Sequence, residues 1–124
     1  MIDPPTTFAC QIQEGPPRLA LISFDTTTLV SYDEVQKTGE ELFNLQQSEP
    51  TLHLMLVFKG VQGISSAMLG KLITLHRRVE RAGQRLVLCE FEPQVAEMFT
   101  SSRLDDYFTI RKSRDDARTY LAQG

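Results

Sequence analysis

The chain has 124 residues, 13 basic and 16 acidic, for a formal net charge of −3. With 41% apolar and 23% charged residues, that length supports one folded domain and excludes wholesale disorder. The mild acidity argues against nucleic acid as a principal partner, and no apolar run approaches the roughly 20 residues of a membrane span.

Residues 1–17 are predicted to form an irregular arm with one short strand, and residues 18–124 the folded domain. The start, Met1-Ile2-Asp3-Pro4-Pro5, lacks the basic and apolar regions of a signal peptide. A strand over 8–13 ends at Glu14-Gly15-Pro16-Pro17, and Arg-Leu-Ala-Leu-Ile-Ser-Phe over 18–24 reads as the next strand. The two can pair as a hairpin. Ser31-Tyr32-Asp33-Glu34 has the capping-box pattern and predicts a helix to about Gln47, with Val35, Leu42 and Leu45 as a sparse apolar stripe. Gly39 weakens the middle of that helix by up to about 1 kcal/mol.

The nearly continuous apolar run over 52–58 predicts a central strand covered on both faces, and residues 85–90 have the same character. Between them a helix is expected over 66–82, closed by Gly83 as a left-handed cap. Leu69, Leu72, Ile73, His76 and Val79 fall on one face of that helix; Lys71, Thr74, Arg77, Arg78 and Arg81 fall on the other. Strand, helix and strand make a right-handed βαβ unit. Pro93 starts a short helix with Val95, Met98 and Phe99 inward. A short strand is expected over 108–110, and Ser113 caps a last helix that docks through Ala117, Tyr120 and Leu121. The fold class is α/β: a sandwich with a mixed central sheet and about four helices.

Little of the usual catalytic chemistry is present. Cys10 and Cys89 are isolated thiols without a CxxC pair, which fits a reduced, cytoplasmic chain. His76 on its apolar stripe reads as a core histidine, and His53 as part of the central strand near its edge. No serine, histidine and acid converge by any readable spacing, so no catalytic residue is assigned. Asp105 and Asp106 are adjacent carboxylates that point apart, so they supply too few ligands for a metal. No metal site and no cofactor are expected. A phosphotransfer receiver needs an aspartate where Phe58-Lys59-Gly60 stands, and a nucleotide hydrolase needs a glycine-rich loop ending in Lys-Ser or Lys-Thr.

The informative stretch is Lys59-Gly60-Val61-Gln62-Gly63-Ile64-Ser65-Ser66-Ala67-Met68-Leu69-Gly70, at the carboxyl end of the central strand, where helix N-termini collect. Two hydroxyls stand at the start of a helix whose first N–H groups lack internal partners and whose dipole is positive there. One reading is that Ser65 or Ser66 caps the helix. The other is that a phosphoryl group on one of them brings a charge near −2 to this spot. The two readings are compatible.

This order of elements and this turn resemble the STAS family, the domain of sulfate transporters and bacterial anti-sigma factor antagonists. That family commonly carries Gly-Val-x-Phe-Ile-Asp-Ser-Ser-Gly-Leu-Gly-x-Leu at the same place. Without gaps, its phosphate-accepting serine falls on Ser66, its aspartate on Ser65 and its second glycine on Met68, while Leu69, Gly70 and Leu72 match outright. A shift of one residue puts the acceptor on Ser65 and breaks the Leu69-Gly70 match, so Ser66 is the first choice and Ser65 the second. Residues 78–88 and 104–110 also resemble family passages, and the likeness spans about 19–121.

What the resemblance implies is a non-enzymatic module of a partner-switching system. The unphosphorylated domain would bind a GHKL-type serine kinase, the anti-sigma factor, and free a sigma factor; phosphorylation of Ser66 would break the contact and a phosphatase would restore it. Gly63, Ile64, Ser65, Ser66, Met68 and Lys71 would form the partner surface, with Met68 projecting from the first helical turn. Ser65 in place of the family aspartate counts against phosphorylation. The alternative is therefore a constitutive adaptor of the same fold in a sensory or transport complex. No oligomeric state follows from the sequence.

Overall fold

The two apolar runs at 52–58 and 85–90 become neighbouring strands at the centre of the protein. A computed structural model describes residues 4–123; residues 1–3 of the predicted arm and Gly124 lie outside the described residues. The elements are β1 (Ala9–Gln13), β2 (Leu19–Ser23), β3 (Thr28–Leu29), α1 (Tyr32–Ser48), β4 (His53–Val57), β5 (Gly63–Ile64), α2 (Ser66–Arg81), β6 (Leu86–Cys89), α3 (Pro93–Ser101), β7 (Ile110–Arg111) and α4 (Arg114–Ala122). The main sheet has the order β1-β2-β4-β6-β7, with β1 antiparallel to β2 and the remaining pairs parallel. Leu21 pairs with Met55, and Met55 with Val87 across the centre.

Strand alternation divides the core in two. Ala20, Ile22, Leu54, Leu56, Leu86 and Leu88 face α1, α2 and α3, where Val35, Leu42, Met68, Leu72, Leu75 and Phe99 meet them. Leu19, Leu21, Met55, Val57, Val87 and Cys89 face Ala117 and Leu121 of α4. Both faces of the central strands are thus dry, which is why their sequences show no polar alternation. Cys89 is fully buried, and burial, aided by the nearby Glu90 charge, pushes its thiol up to about 12. That suits an inert packing residue.

Phe108 does not open the last strand as the sequence suggested. The N–H groups of Tyr107 and Phe108 both donate to the Leu104 carbonyl, so a turn runs through Phe108 and delivers its ring to the core. β7 begins two residues later, at Ile110. Sequence reading also omitted β3 and β5, a parallel pair of two residues each, in which Thr28 pairs with Gly63 and Leu29 with Ile64.

The arm is fastened at both ends. Thr6 and Thr7 each donate a backbone N–H and a hydroxyl to the Glu41 carboxylate of α1, at 2.6 to 2.9 Å. Partial burial favours the neutral acid, but these four donors outweigh it and hold Glu41 below the usual carboxylate range. Phe8 follows and is buried against Phe24, their ring centroids 6.2 Å apart. At the other end, Arg18 donates to Glu14 and Glu49.

Candidate functional site

The corner between β4 and α2 is built from backbone bonds. After Phe58 the chain turns on a Val61 N–H to Phe58 carbonyl bond, with Gly60 at φ +86°, a conformation that suits glycine. The Gly60 N–H donates to a Glu92 carboxylate oxygen at 2.8 Å, at the head of α3. On the other side the N–H groups of Gln62 and Gly63 both donate to the Thr27 carbonyl, and the Ser65 N–H donates to the Leu29 carbonyl at 3.0 Å. The short β3–β5 pair is therefore the brace of this corner. Beneath it Phe58 is wedged between Phe24 and Phe91, at 5.3 Å to each ring. A loop tied on two sides and propped from below presents its outer residues in one arrangement.

The two serines have different roles. Ser65 is the N-cap of α2: its Oγ accepts the Met68 N–H at 3.1 Å and its carbonyl accepts the Leu69 N–H at 3.0 Å. Ser65 is half-buried. Ser66 is the first helical residue, exposed, and among the described residues its hydroxyl has no hydrogen-bond partner in the protein. The first turn of α2 carries no acidic residue. A negative group on Ser66 would meet the positive end of the helix and the first free N–H groups, with no neighbouring carboxylate in that turn.

The other expected contact residues divide. Gly63 and Lys71 are half-buried at the surface. Ile64 and Met68 are corrections, at 5% and 0% exposure. Met68 does not project from the first turn; the Ser65 cap fixes that turn so that the third residue after the cap faces the sheet, and Met68 packs there with Leu69 and Leu72. Sequence reading missed two exposed apolar residues beside the corner. Val30 follows directly on Leu29, whose carbonyl holds Ser65, and Tyr32 begins α1; they are 51% and 72% exposed. Val30 stands just before the Ser31 cap, where an apolar residue commonly folds onto the helix. Its position in that pattern was the available signal, and its exposure was not.

The histidines sit elsewhere. His53 Nδ1 accepts the Arg85 N–H at 2.9 Å at the start of β4, and burial with the nearby Arg85 charge lowers its pKa. His76 lies against Tyr107 and Phe108, with Nε2 3.2 Å from Glu80. Among the described residues, no group of three or more His, Cys, Asp or Glu side chains could hold a metal ion. No helix among the described residues is long and apolar enough to cross a membrane.

A braced βαβ corner with a capping serine and a free one, on a five-stranded mixed sheet, makes this a small α/β domain. The STAS domain family model matches residues 23–117, and the chain belongs to that family. Solved structures share the fold at low identity. An anti-sigma-factor antagonist (STAS) domain protein from Planctomyces limnophilus matches with a TM-score of 0.77 at 16% identity, covering 94% of this chain and 98% of that one. The phosphorylated form of the Bacillus cell fate determinant SpoIIAA gives 0.63 at 15% identity, over 91% of this chain and 99% of that one. Murine Slc26a9, an anion transporter, gives 0.69 at 13% identity, with 93% of this chain matching 22% of that much longer one. No curated protein matches the sequence.

Proposed function

We propose that the chain is a non-catalytic, cytoplasmic protein-binding module resembling anti-sigma factor antagonists, and that Ser66 is its switch. The observation that carries this reading is the division of labour between adjacent serines. Ser65 is committed to the helix, while Ser66 is exposed and uncommitted on a braced loop. The partner by resemblance is a GHKL-type serine kinase that acts as anti-sigma factor. The contact surface comprises Gly63, Ser65, Ser66 and Lys71, extended by Val30 and Tyr32.

Phosphate on Ser66 adds a near-dianion to a packed interface, where desolvation and repulsion cost several kcal/mol. Each 1.4 kcal/mol is a tenfold change in affinity, so about 3 kcal/mol separates bound from free at ordinary concentrations. The scaffold need not move. A partner recovered by pull-down from the native cell tests the reading by calorimetric titration. Ser66→Ala should bind within about twofold of the wild type, and Ser66→Glu at least about tenfold more weakly. Equal binding by all three would favour the constitutive adaptor, the reading suggested by Ser65 standing where the family carries an aspartate.

A further inference from the structure

Below the corner, the outer side of α2 carries Lys71, Arg77, Arg78 and Arg81. The three arginines are exposed, and among the described residues none has a carboxylate within ion-pair distance; Arg85, Arg103 and Arg111 are alike in this, while Arg18 has two such partners and Arg114 and Arg118 one each. Glu80, the carboxylate in their midst, faces His76 instead. The helix dipole accounts for positive charge in the last turn, hence for part of Arg78 and Arg81, but Arg77 lies before that turn. The half-buried Phe43 of α1 organises the patch: its ring centroid lies 4.5 Å from the Arg78 guanidinium and 6.0 Å from the Lys71 ammonium. A stacked guanidinium is held in place before any partner arrives, so less side-chain freedom is lost when it takes a carboxylate. Nearer the corner the same helix exposes Ala67 and Gly70, and a Cβ on Gly70 would meet nothing within 4 Å. That low relief lets a partner backbone lie close.

We infer that the outer face of α2, from Gly70 to Arg81 with Phe43, is a second docking surface, fitted to an acidic segment of a protein partner. It rests on the proposed function only in the premise that the chain binds protein, and the two surfaces meet at Lys71. A lipid surface fits less well, because among the described residues the large exposed apolar ones are Ile12, Val30, Tyr32 and Tyr107, none of them on α2. A duplex fits less well too: a chain of net charge −3 repels its continuous phosphates except at this patch.

NMR titration of the isotope-labelled full chain tests the inference. The probe is a short capped helical peptide of alanine and glutamine with glutamates along one face. Amide shifts should concentrate at Phe43 and residues 70–82, weaken with salt, and fail to appear with the lysine version of the peptide. Arg77→Gln with Arg81→Gln should weaken binding at least about tenfold with an unchanged melting temperature, while Ser66→Glu should leave it within about twofold. Shifts centred on Arg111, Lys112 and Arg114 would overturn the inference. So would indifference to the double substitution, equal loss in Ser66→Glu, or tighter binding to phosphatidylserine vesicles or duplex DNA than to the peptide.

Discussion

Replacing the Ser65 hydroxyl removes the acceptor of the Met68 N–H, while replacing that of Ser66 removes nothing the fold uses. Ser65→Ala is therefore expected to cost about 1 kcal/mol in urea unfolding. Ser66→Ala should stay within about 0.5 kcal/mol of the wild type. A reversed order would assign the cap to the wrong serine. His53 provides a second residue-scale expectation. Its folded pKa is lowered, because protonation would charge a half-buried ring that also lies near the Arg85 cation. The unfolded chain then binds the extra proton more readily, so this contribution is complete above about pH 6.5 and is lost as pH falls through the lower folded value. Unfolding curves measured through that range should show stability dropping on the acid side, and His53→Phe, which has no proton to gain, should flatten the drop.

At the scale of elements, the start of the arm is held by one carboxylate. Glu41→Gln keeps the shape but replaces an ionised acceptor of four bonds with an amide that has one acceptor oxygen. Hydrogen exchange of Thr6, Thr7 and β1 should speed up, with β4 and β6 unchanged; faster exchange throughout the sheet would mean that the clasp supports the whole fold. The long elements were legible in the sequence. Ser31 and Ser113 cap α1 and α4, Gly83 takes the left-handed conformation at φ +74° after α2, and Pro93 opens α3. What escaped were elements too short to show a period. β3 and β5 have two residues each, and only their pairing across 34 intervening positions, Thr28 with Gly63, makes them strands. β7 was displaced because the turn at Leu104 claims Phe108.

For the whole molecule, the arrangement is a stiff sandwich whose distinguishing chemistry is gathered on α2 and the loop before it. The sequence located that loop, because glycines and hydroxyls at the end of an apolar strand are a local signal. It misplaced Met68, because the stripe was drawn from Leu69 through Ile73 and His76, whereas the buried one runs through Met68, Leu72, Leu75 and Val79, as the Ser65 cap dictates. It also left Val30 and Tyr32 unremarked, since exposure of an apolar side chain is a property of the assembled surface. A switch at this corner requires that the free serine, not the capping one, receives the modification. Its most direct test is to incubate the chain with ATP and the serine kinase recovered by pull-down, then measure intact mass and map the modified peptide. A single phosphate on Ser66 is the expected result, and a phosphate on Ser65 or elsewhere, or no gain in mass, would contradict it.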